Sequence, residues 1–101
     1  MLISSRSVTQ PDNPLNKLFG NVLIWKLKGE DALRASGVPY TVIRPGGLTN
    51  GPNSNLDLVF EQGDTVRAQT TITRADLARI AVQALRYPEA RNRTFETSAQ
   101  P

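Results

Sequence analysis

Gly37-Val38-Pro39, followed by Tyr40-Thr41-Val42-Ile43-Arg44-Pro45, constrains this fold more than any other stretch of the chain. A glycine and a nearby proline close a helical pattern. The β-branched and aromatic residues after them, Tyr40 to Arg44, read as a buried-type strand. Before this boundary the apolar spacing is helical from Leu15 to about Ser36. After it, Pro45 through Asn55 reads as a long loop rich in Gly, Pro and Asn. Leu56 to Glu61 and Thr65 to Gln69 flank Gln62-Gly63-Asp64 as the arms of a hairpin. A second helix starts at Thr73, with Asp76 at the capping-box spacing, and stops at Pro88. Leu2-Ile3 and Thr94 to Thr97 add short strands at the two ends. The order strand, helix, strand, hairpin, helix, strand is an α/β pattern with about three parallel strands, a β-hairpin and two helices. Two helices cover the faces of a parallel sheet only in part, so the pattern reads as half a domain.

The 101 residues make a single domain, 1–101. With no cysteine and no histidine, the chain has no disulfide framework, no thiolate metal site and no Ser-His-Asp arrangement. Twelve Lys and Arg are dispersed among nine Asp and Glu, and no basic run exceeds two residues, so a nucleic-acid partner is not expected. No stretch approaches the ~20 apolar residues of a membrane span. The N-terminus lacks the pattern of a secretory leader, and a cytoplasmic setting is expected.

On a helical wheel Leu15, Leu18, Phe19, Val22, Gly29 and Leu33 share one face, and Lys26 falls near its centre. Such a lysine is costly to bury unless its ammonium reaches water or a partner. One reading lays its stem along apolar surface with the ammonium in water, paired with Glu30 at the i+4 spacing. The other points it into a cleft to hold a polar ligand. Ligands of open parallel sheets bind beyond the carboxyl ends of the strands. Ser4-Ser5 follows the first strand and Pro45-Gly46-Gly47-Leu48 the second, so hydroxyls and glycine amides are expected at one rim.

These residues, in this order, carry a resemblance. Leu2-Ile3-Ser4-Ser5, Trp25-Lys26 with Glu30, the run from Leu33 through Ser36-Gly37-Val38-Pro39-Tyr40-Thr41-Val42-Ile43-Arg44-Pro45-Gly46-Gly47-Leu48, and Ile72-Thr73-Arg74-Ala75-Asp76-Leu77-Ala78 resemble the C-terminal half of atypical short-chain dehydrogenase/reductases. The group most similar is that of NmrA-like, NAD(P)H-binding proteins. The resemblance implies a partial Rossmann-like parallel sheet lacking the glycine-rich N-terminal half, in effect a truncated domain. It implies NADP or NAD as the cofactor in the full-length family, with weak or no binding by this chain alone. Lys26 matches the lysine of a Tyr-x-x-x-Lys pair, which contacts the nicotinamide ribose. By this resemblance Ser5 and Lys26 take catalytic positions. Ser4, Lys26, Pro45, Gly46, Gly47 and Leu48 take cofactor-binding positions, and no residue is assigned to a metal.

Two departures from the family pattern matter. The tyrosine position is Val22, which cannot donate a proton. The glycine-rich segment that brings backbone amides to a pyrophosphate is not found in residues 1–101. The expected function is therefore a nicotinamide-side and substrate-side part of an NAD(P)H-binding oxidoreductase-like protein. The alternative is a non-catalytic interaction or assembly module that meets a protein partner, or a second copy, through an exposed sheet edge. For a plant or algal chain the alternative location is the plastid stroma.

Overall fold

The computed structural model describes residues 1–14, 16, 20–52, 56–64 and 70–100. The elements are β1 (Leu2–Ile3), α1 (Val22–Ala35), β2 (Thr41–Pro45), β3 (Gly47–Thr49), β4 (Asp57–Glu61), β5 (Thr71–Thr73), α2 (Arg74–Ala84), a 3-10 turn (Pro88–Ala90) and β6 (Arg93–Gln100). The strands form one mixed sheet in the order β1-β2-β6-β5-β3, with β4 also paired to β6. β1 with β2, β2 with β6, and β3 with β5 run parallel. β4 and β5 meet β6 antiparallel.

Alternation along the strands assigns the two faces. Ile43 pairs in register with Phe95, and Ile43 clusters with Ile72, Leu77 and Ile80 while Phe95 and Ala99 pack against them. α2 therefore covers an apolar face. Arg44 and Thr94 point the other way and bond to Glu30 and Arg34 of α1. The sheet is a layer between two helices, greasy on one side and charged on the other.

Several boundaries differ from the sequence expectation. The helix α1 begins at Val22, because Gly20 and Asn21 both take a left-handed backbone, φ 62 each, that breaks the helical path before it. The helix is capped from outside itself. The buried Asn16 side chain accepts from the N–H groups of Leu23 (2.9 Å) and Ile24 (3.3 Å) and donates to the Pro11 carbonyl (2.9 Å). The expected loop after Arg44 contains the end of β2 and all of β3, a strand fixed by long-range pairing with β5 that no local signal reveals. The last strand is longer than Thr94 to Thr97, running from Arg93 to Gln100. The first arm of the expected hairpin is β4, which pairs with β6; the second arm, 65–69, lies outside the described residues. The start of α2 follows the capping spacing, with the Thr73 hydroxyl accepting from Asp76 N–H at 3.0 Å.

Candidate functional site

Backbone hydrogen bonds bring the loop after β1 beside the end of β2. Ser4 N–H donates to the Ile43 carbonyl at 2.7 Å, and Arg6 N–H to the Pro45 carbonyl at 3.1 Å. Ser4-Ser5 and Pro45-Gly46 thus share the carboxyl rim of parallel strands. Ser4 is buried, and half-buried Ser5 donates its hydroxyl to the Arg6 carbonyl at 2.9 Å. Two buried hydroxyls near this rim, those of Thr70 and Thr97, meet no hydrogen-bond partner among the described residues, while the Ser4 hydroxyl is turned to the Glu30 carboxylate.

The glycines act differently from expectation. Gly46 N–H donates to the Thr97 carbonyl (3.0 Å) and Gly47 N–H to the Thr70 carbonyl (2.8 Å), so both amides are taken up inside the sheet. A Cβ on Gly46 would lie 2.5 Å from the Thr70 carbonyl oxygen. Glycine is therefore required there by close backbone approach. Pro45 and Gly46 are buried, whereas Gly47 and Leu48 are exposed.

Lys26 is exposed. The buried line of α1 runs instead through Leu23 and Glu30, with Leu27 and Arg34 partly covered on the same flank. Of the expected apolar face, Gly29 is exposed and Val22 and Leu33 are half-buried, while Leu15, Leu18 and Phe19 lie outside the described residues; beside it Trp25 is 63% exposed, and Lys28 holds its ammonium nitrogen 4.5 Å from the indole centroid. Val22 is half-buried at the first turn. Lys26 makes no ion pair among the described residues, and Glu30, its possible i+4 partner, is held elsewhere.

Glu30 is fully buried and clasped by Arg44, whose Nε and Nη2 reach Oε2 and Oε1 at 3.1 and 2.7 Å. Arg34 adds a contact to Oε1 at 2.6 Å and reaches the Thr94 hydroxyl at 2.9 Å. Burial raises the Glu30 carboxyl, but hydrogen bonds from Arg44, Ser4 and Arg34 outweigh it and hold the group below its ordinary value. Arg44 also faces Glu96 at 3.5 Å. Burial dominates at Glu96, and its carboxyl is raised despite Asp64 N–H and Arg44. Asp64, next to Glu96, turns its carboxylate onto the loop after β1.

A local reading of the sequence gives Glu30 to Lys26 and treats Asp64 as a turn residue. The available signal was Arg44 itself, a cation inside a buried-type strand that demands a carboxylate. A hollow of about 680 Å³ lies on the α2 face between Phe60, Ile80, Tyr87 and Phe95. At the rim a crevice of about 10 Å³ lies among Arg6, Thr70 and Thr97.

Residues 1–88 match the protein-family model described as NAD(P)H-binding. The chain belongs to the NAD(P)H-binding family. It is 40% identical to sanguinarine reductase of Eschscholzia californica, with all of this chain and 38% of that protein aligned. It is 38% identical to a chloroplastic protein of Arabidopsis thaliana, over 100% of this chain and 32% of the relative. A protein of Bacillus halodurans assigned as an NAD-dependent epimerase/dehydratase has the same fold, with TM-score 0.85 and 26% identity over 98% of this chain and 45% of that one. The chain thus spans less than half the length of each. Within the family's α/β frame, no helix among the described residues is long and apolar enough to cross a membrane.

Proposed function

We propose that this chain supplies the nicotinamide-side and substrate-side part of an NAD(P)H-binding oxidoreductase-like domain. The supporting observation is the pair of buried hydroxyls of Thr70 and Thr97 left without partners among the described residues at the carboxyl rim. A buried hydroxyl without a partner is costly, and a carboxamide or sugar hydroxyl bound there removes that cost. Ser4 and Ser5 would face the nicotinamide end of NADP or NAD. Pro45, Gly46, Gly47 and Leu48 would lie along it by contact, since both glycine amides are already bonded. Lys26, one turn before Glu30, is assigned to the ribose. The cofactor, when bound, supplies or accepts hydride. Because the tyrosine position is Val22, these residues serve either a reduction with another proton donor or a non-catalytic redox sensor.

No glycine-rich pyrophosphate cradle is found in residues 1–101, so the isolated chain is proposed to bind the dinucleotide weakly or not at all, as a C-terminal half of a Rossmann domain. The proposed setting is the cytoplasm or, given the chloroplastic relative, the plastid stroma. Calorimetric titration of the chain with NADPH and NADH tests this reading. No micromolar binding, together with local shifts at Ser4 and Ser5 on adding reduced nicotinamide mononucleotide, supports it. Micromolar dinucleotide binding, or no response to the mononucleotide, overturns it. A second reading is supported by β1: among the described residues it pairs only with β2, and Ile3 is 39% exposed. Such an edge suits strand addition by a protein partner or a second copy, and a change in mass on mixing would reveal it.

A further inference from the structure

The loop after β1 is not held by the strand that precedes it. Ser7 takes a left-handed backbone, φ 68, and its N–H points inward to Asp64 Oδ1 at 2.7 Å. Thr9 directs both its N–H (3.0 Å) and its hydroxyl (2.5 Å) to Asp64 Oδ2. Gln10 adds a side-chain bond to the Asp64 carbonyl at 3.3 Å. Two backbone donors and a hydroxyl converging on one carboxylate form an anion-binding nest, filled from inside the molecule. Asp64 is 5% exposed and sits at φ 55. Its own N–H donates to Glu96, which faces Arg44, the residue that clasps Glu30.

From this geometry we propose that Asp64 is the positioning residue of the Ser4-Ser5 rim. Its carboxylate, reaching across from the turn after β4, holds residues 7 to 9 in the conformation that presents the two serines. Asp64 touches neither serine and acts through Ser7 and Thr9. The inference rests on the proposed nicotinamide-side reading for its functional meaning, but the loop geometry is tested independently of it.

The experiment compares the full 101-residue chain with Asp64→Gly, which removes the carboxylate and suits the left-handed backbone at this position. Amide hydrogen exchange is read by NMR at Ser7 and Thr9 and, as internal controls, at Val42, Ile43 and Ile72. Losing these charge-assisted bonds is expected to speed exchange at Ser7 and Thr9 by about tenfold or more, with the controls unchanged. Added formate should refill the nest and restore protection, while chloride at equal ionic strength should not. Unchanged loop exchange, equal acceleration of the controls, or equal effects of formate and chloride overturns the proposal. In parallel, reduced nicotinamide mononucleotide is titrated into both proteins while Ser4 and Ser5 are followed. A response in the wild type that is lost in Asp64→Gly and returns with formate supports the positioning role. A wild-type response that persists unchanged in the variant overturns it. If the wild type gives no response, the nicotinamide reading fails, and the exchange data alone decide the role of Asp64.

Discussion

Arg44 holds Glu30 by a two-pronged contact across the helix–sheet interface, Nε to Oε2 at 3.1 Å and Nη2 to Oε1 at 2.7 Å. The carboxylate is fully buried and the guanidinium side chain 8% exposed. This fork sets how α1 is rotated against the sheet, and so which flank of the helix faces outward.

Removing one partner leaves the other charge buried and uncompensated. Arg44→Met is expected to destabilise the chain by about 3–5 kcal/mol, and Arg44→Lys, which cannot form the fork, by a smaller but clear amount. The double variant Glu30→Leu, Arg44→Met should be more stable than Arg44→Met alone. Urea unfolding midpoints decide this, and a double variant less stable than the single one contradicts it.

Acid should act on the two buried glutamates with opposite signs. Glu30 is lowered in the fold, so its contribution is complete above the ordinary glutamate value of about 4.3 and is lost as pH falls through its lower folded value. Glu96 is raised, so its ionisation opposes folding above that raised value, and the penalty fades as pH falls toward the ordinary one. Glu96→Gln should therefore compare more favourably with the wild type at pH 7 than at pH 4. Urea unfolding at both values tests the sign.

Gly46→Ala and Gly29→Ala should diverge. The added methyl at 46 meets the Thr70 backbone, at 2.5 Å from the oxygen and 2.9 Å from the carbonyl carbon, and overpacking of this kind costs about 1–3 kcal/mol or more. At Gly29 nothing lies within 4 Å, so alanine should stabilise the helix by about 0.5–1 kcal/mol. Thermal melts of the two variants give the comparison.

Lys26→Met should leave stability within about 0.5 kcal/mol, because the side chain is exposed. A larger loss would mean that the ammonium has a structural partner. The same variant should weaken the response to reduced nicotinamide mononucleotide, read by chemical-shift titration.

The helix boundary at Gly37, the buried strand after it and the cap at Thr73 were legible because each depends on residues close in sequence. So were the parallel connections between β1, β2 and β6. β3 was not, because Gly47-Leu48-Thr49 becomes a strand only by pairing with Thr71-Ile72-Thr73. The flank of α1 that meets the sheet was misread for the same reason. Apolar spacing favours Val22, Gly29 and Leu33, yet the ion pair to Arg44 turns Glu30 inward. The rim was legible as a position, since loops after parallel strands converge there. The roles of its groups were not, because whether an amide is free depends on Thr70 and Thr97, far along the chain.

Trp25, the sole tryptophan, stands on the outer flank of α1 under the ammonium of Lys28. Anything that settles on that flank must displace water from the indole and disturb the cation above it. The protein therefore carries an intrinsic fluorophore where an incoming surface would first be felt. A blue shift of its emission would register contact without any label.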